Sequence, residues 1–124
     1  TAEYNNIQIQ KPLDYERAVS QLQELSGKRV NFHSAICVNY NKKKIFQKKV
    51  VSFDVKYKDL NLSEIEGYLK KEKPFNCIGS IKSEGLGITL LDEINTSDPT
   101  AVIGLPLITL VSMLKKIGIK INDR

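Results

Sequence analysis

Apolar residues recur along this chain with two different periods, and the switches between them outline its elements. From Pro12 to Gly27, the residues Tyr15, Ala18, Val19, Leu22 and Leu25 fall on one helical face. Asp14 stands at an N-cap position and Gly27 where a left-handed residue closes a helix, so a bounded helix is predicted. Val30, Phe32, Ser34, Ile36 and Val38 then alternate with other residues. Beyond Asn41 the alternation resumes, with Val51, Phe53, Val55 and Tyr57 set against Ser52, Asp54, Lys56 and Lys58. Period two on both sides of a lysine-rich segment predicts a long hairpin with one wet face.

The helical period returns at Ile65 and Leu69. Ser63 and Glu66 have capping-box spacing, Lys70 and Lys71 suit the negative end of the helix dipole, and Pro74 stops the helix. Residues 75–87 carry little regular pattern, after which Leu86, Ile88, Leu90 and Leu91 predict a buried strand. Pro106 is placed as the first residue of a final helix with Leu107, Leu110, Val111 and Leu114 facing inward and Gly118 after its end. The order helix, strand, strand, helix, strand, helix predicts one α/β or α+β domain, residues 1–124, without internal repeat or linker.

Composition narrows the class. With 124 residues, 41% hydrophobic and 27% charged, the chain has the profile of a single soluble domain and can build a core without metal or disulfide support. Cys37 and Cys77 lie far apart and outside any CxxC pattern, which excludes a zinc ribbon and a disulfide framework. Both are expected to be small buried hydrophobes in a reducing, cytoplasmic setting. The least polar stretch, from Ala101, contains Gly104 and Pro106 and falls short of the roughly 18 apolar residues a membrane helix needs. Thr1–Gln10 lacks the apolar core of a signal peptide, and the absent initiator Met points to a fragment or processed product.

The net charge of +5 is uneven: residues 1–62 carry 11 basic and 6 acidic groups, residues 63–124 carry 8 of each. Much of the excess is Lys42, Lys43, Lys44, Lys48 and Lys49. Such a run could hold a polyanion by counterion release. No aromatic residues are interleaved for base stacking, however, so it reads as a solvated hairpin tip and nucleic acid is disfavoured as a partner.

Candidate chemistry is sparse. The lone histidine, His33, lies mid-strand without a nucleophile placed by any recognisable motif, which leaves hydrolase triads and zinc catalysis unsupported. The segment Ile78-Gly79-Ser80-Ile81-Lys82-Ser83-Glu84-Gly85-Leu86-Gly87 sets two hydroxyls, an ammonium and a carboxylate between glycines, which let a backbone approach a ligand closely. It lacks the spacing of a Walker loop. In Gln10-Lys11-Pro12 the proline restricts Lys11 to an extended conformation just before a helix, a natural place for a phosphate-binding ammonium.

Lys11-Pro12, Leu25-Ser26-Gly27, Phe75 to Ile88, Asp98-Pro99 and Ile103-Gly104-Leu105-Pro106-Leu107-Ile108 together resemble the Maf family of nucleotide pyrophosphatases, in order and spacing, over nearly the whole chain. The Gly-Ser-x-Lys-Ser-Glu-Gly loop is similar to that of the branch acting on 7-methyl-GTP. The resemblance implies a Maf/ITPase-like mixed sheet flanked by helices, and lacking the N-terminal part of that fold. It implies hydrolysis of a nucleoside triphosphate, 7-methyl-GTP or a related nucleotide, between the α and β phosphates with a divalent metal, Mg or Mn. Lys11 matches the lysine that approaches the phosphates, and Ser80, Lys82, Ser83 and Glu84 match the loop associated with base recognition.

The chain also departs from the family pattern. The Ser- and Arg-containing phosphate loop and the strand-end Asp expected as general base precede Lys-Pro in the family and have no counterpart here. Gln10 replaces a usual Gly, and Ile78 a usual Ala. The expectation is therefore a C-terminal portion of a pyrophosphatase that is inactive alone, weak in nucleotide binding, without a membrane role and open to homodimerisation. Should it turn over, Glu84, Asp98 and Asp92 are the acids to test first. The alternative is a non-catalytic nucleotide- or nucleic-acid-binding remnant.

Overall fold

The computed structural model describes residues 1–122. Its elements are β1 (Ala2–Tyr4), β2 (Ile7–Ile9), α1 (Tyr15–Leu25), β3 (Arg29–Tyr40), β4 (Ile45–Tyr57), α2 (Leu62–Glu72), β5 (Leu91–Asn95) and α3 (Leu107–Lys116), with short 3₁₀ turns between several of them. The strands form one sheet in the order β2-β1-β3-β4-β5. The mixed sheet implied by the resemblance is antiparallel in each of these four pairings.

The hairpin is as the alternation predicts. Phe32 pairs with Phe53 and Val30 with Val55, and in an antiparallel ladder such opposed residues share a face. The two phenylalanine rings stack with centroids 5.1 Å apart. That face meets α1 and α2 in a core containing Ala18, Leu22, Leu25, Val30, Val51, Val55, Tyr57, Ile65 and Leu69. The opposite face is wet: Arg29 bridges Asp54 at 2.8 Å and Glu93 at 2.9 Å, and His33 Nδ1 lies 2.7 Å from Ser52 Oγ. Because β5 reaches only Asp54–Tyr57, the outer edge of β4 from Ile45 to Phe53 has no strand partner among the described residues.

Local chemistry explains the helix boundaries. Asp14 accepts the N–H of Arg17 at 2.8 Å, and Gly27 closes α1 at φ +70°. The capping box of α2 is Asn61 with Glu64, two residues ahead of the Ser63 and Glu66 expected, because Asn61 is itself an extended cap residue whose side chain reaches Glu64 N.

Several expectations need correction. The strands β1 and β2 are additional, joined by Asn5 and Asn6 at φ +50° and +62°, the backbone a tight hairpin turn demands and asparagine tolerates. Leu86–Leu90 is a 3₁₀ turn, and the strand begins at Leu91; Leu86 and Ile88 are exposed. In α3 the buried residue is Met113, followed by Ile117 just past the helix end, while Leu107 and Val111 are exposed. Cys37 is exposed and Cys77 half-buried, so neither is a buried hydrophobe. Among the described residues no helix is long and apolar enough to cross a membrane.

Candidate active site

A groove of about 490 Å³ opens over the core face of the hairpin. Phe32, Phe53, Val55 and Leu91 supply apolar lining from the sheet, and Lys11, the 76–84 segment with Cys77, Ser83 and Glu84, and the Val102–Gly104 turn complete it. Six separate stretches of the chain, three of them strands, therefore converge there.

Lys11 is placed by its neighbours. Pro12 is buried, and Leu13 donates its N–H to the carbonyl of Phe75 at 2.9 Å, which anchors the strand-to-helix connection while leaving Lys11 exposed at the groove. The facing loop rests on two buried phenols. Tyr57 donates to the carbonyl of Gly79 at 2.9 Å, and Tyr68 donates to that of Ser80 at 2.8 Å while accepting the N–H of Lys82 at 3.1 Å. Burial pushes both phenols well above their ordinary range, so they act as neutral donors.

The four loop residues have different surroundings. The Ser80 hydroxyl is fully buried and donates to Gln21 Oε1, so it supports the loop from below. Lys82 turns toward Glu72, with Nζ 3.6 Å from Oε1. Ser83 and Glu84 line the groove with Lys11, and Ser83 Oγ donates to the carbonyl of Val102 at 3.3 Å, joining loop and turn. Lys11, Ser83 and Glu84 are thus brought together, and Ser80 and Lys82 are not. Burial and the Glu84 charge raise the Cys77 thiol, against the opposing pull of Lys82 and Lys11.

Glu84 is the only carboxylate lining this groove among the described residues. Asp92 pairs with Lys56 at 3.6 Å on β5. Asp98 is buried and consumed by hydrogen bonds: Oδ1 accepts from Thr100 N and Oγ1, and Oδ2 accepts from Thr109 N and Oγ1, both at 2.9 Å. It caps α3 from eleven residues away. Sequence reasoning missed this, since Pro106 precedes the helix and offers no side-chain cap.

Glu84 also borders a second, mainly apolar recess of about 370 Å³, lined by Ile88, Ile94, Thr96, Pro99, Val102 and Ile103 and by Ser83. Groove and recess share Ser83, Glu84, Val102 and Ile103. The arrangement sets an ammonium in the groove, a carboxylate on the ridge and an apolar slot beyond. No cluster of three or more His, Cys, Asp or Glu suited to a metal ion exists among the described residues.

The chain is 45% identical over 120 residues to a 7-methyl-GTP pyrophosphatase of Methylobacillus flagellatus, covering 97% of this chain and 62% of that protein. It is 44% identical to that of Burkholderia thailandensis, covering 98% and 57%, and 43% identical to that of Nitrosospira multiformis, covering 97% and 61%. The chain thus spans about three fifths of the length of these curated relatives. The family model described as Maf-like protein matches residues 2–117, so the chain belongs to the Maf-like family.

Proposed function

We propose that the chain is the C-terminal portion of a nucleotide pyrophosphatase that hydrolyses the α–β phosphate bond of 7-methyl-GTP or a related nucleotide, giving a monophosphate and pyrophosphate. The observation that carries this reading is the convergence of Lys11 and Glu84 on one groove in a chain whose relatives are named for that activity. In this reading the Lys11 ammonium neutralises phosphate charge as the anhydride breaks. The base occupies the apolar recess, and Glu84 faces it. Methylation at N7 leaves the guanine ring cationic, so a carboxylate beside an apolar slot favours the methylated base over guanine by charge as well as shape.

The family implies a divalent cation. A single groove carboxylate with a lysine opposite does not form a cation site, and we derive no step through a metal from these residues. Nor do they supply a dedicated water-activating base, since Glu84 is assigned to recognition.

Chromatographic product analysis tests the activity in a protein of the relatives' full length. Pyrophosphate should be the first product; orthophosphate, or no turnover across canonical and methylated triphosphates with Mg²⁺ or Mn²⁺, refutes it. The 124-residue chain itself should turn over no faster than metal-containing buffer. Robust release from it would transfer the base role to Glu84, because Asp92 and Asp98 are engaged elsewhere.

A further inference from the structure

We infer that Gln21 is a positioning residue for the groove, tying the backbone beside Lys11 to the loop that carries Ser83 and Glu84; its role in binding rests on the nucleotide reading above. Gln21 Nε2 donates to the carbonyl of Gln10 at 2.9 Å, and Gln21 Oε1 accepts the buried Ser80 hydroxyl. The Gln10 carbonyl also receives the N–H of Gly79 at 3.4 Å. One carboxamide therefore bridges the two walls, its donor and acceptor ends both in use, a role neither a carboxylate nor an ammonium can fill.

The loop end of this bridge is rigid. Gly79 and Ser80 lie at φ +71° and +57°, a backbone that disfavours a side chain at Ser80. Their carbonyls are pinned by the Tyr57 and Tyr68 hydroxyls, and Tyr68 also fixes Lys82 N. Three residues beyond Ser80 the chain reaches Ser83, so displacement of this turn relative to Gln10 moves Glu84 relative to Lys11. Gln21 sits half-buried on α1 and outside the core cluster, so an alanine there removes the bridge without opening the core.

NMR on the 124-residue chain tests the bridge. In Gln21→Ala the N–H of Gly79 should exchange about fivefold faster, the factor for one net hydrogen bond, and the amides of Lys11, Ser83 and Glu84 should shift. Gln23→Ala, exposed on the same helix, should leave all of these unchanged. Affinity for 7-methyl-GTP should fall by a similar factor in Gln21→Ala and in Ser80→Ala, and the double variant should lose no more than either alone. Uniformly faster exchange without selective change at Gly79, Lys11 and Glu84 would reduce Gln21 to general stability and overturn the inference, as would fully additive losses in the double variant. Absence of 7-methyl-GTP binding both by the unsubstituted chain and by a protein of the relatives' full length refutes the nucleotide reading instead, and the exchange data then decide the bridge.

Discussion

At the scale of single residues, Lys11 and Asp98 do opposite work with charge. Lys11 is exposed and its ammonium faces a groove, so Lys11→Ala should weaken nucleotide affinity about tenfold, the loss of one charge-assisted contact. Its thermal stability should move by less than about 0.5 kcal/mol. Lys42→Ala, at the solvated hairpin tip, should change neither quantity in titration or melting. Asp98 faces inward. Its burial opposes ionisation, yet the hydroxyls and amides of Thr100 and Thr109 more than compensate and hold the carboxyl below its ordinary value of 3.8. A depressed folded value means that its stabilisation is fully present above pH 3.8 and is lost as pH falls through the folded value. Asp98→Asn should therefore lower the Tm at neutral pH, and the gap to the unsubstituted chain should narrow below about pH 4. A gap constant from neutral pH down to pH 3 would mean that the carboxylate charge contributes nothing to capping α3.

At the scale of elements, the α2 capping box offers a direct check on register. Asn61→Ala should cost about 1 kcal/mol in denaturant unfolding, whereas Ser63→Ala, exposed in the first turn, should stay within about 0.5 kcal/mol. What was legible in the sequence followed from length. The α1 helix and the β3–β4 hairpin repeat their periods often enough to declare themselves. Strands β1 and β2 are three residues each and show no period, leaving the Asn5-Asn6 turn as their only signal. Leu86–Leu90 alternates like a strand but coils, because Gly85 and Gly87 both turn their N–H groups back onto the carbonyl of Lys82. In α3 apolar residues lie on every side, so periodicity cannot say which stripe is buried; the remote cap at Asp98 and packing on β3 decide. The site divides in the same way. Lys11 and Glu84 are legible as motif residues, whereas Gln21, Tyr57 and Tyr68 are not, since the groups they hold are backbone carbonyls, one backbone amide and one remote hydroxyl.

At the scale of the whole molecule, the described surface is unevenly apolar. Ile103 is 70% exposed, and Leu105, Ile108 and Val111 lie exposed in the adjoining turn and helix. A cluster of this kind favours association, so light scattering of the 124-residue chain should show dimers or larger species, and Ile108→Lys with Val111→Lys should shift it toward monomer. The outer edge of β4, without a strand partner among the described residues, offers a second route to association. Its backbone groups from Ile45 to Phe53 are a template onto which a second chain could add, and such edges seed fibrils. Lys48 and Lys49 stand on that edge, exposed, where a second copy would bring like charges into register. Like charges there oppose strand addition, so Lys48→Gln with Lys49→Gln should make the 124-residue chain precipitate sooner in a turbidity assay while leaving nucleotide affinity unchanged.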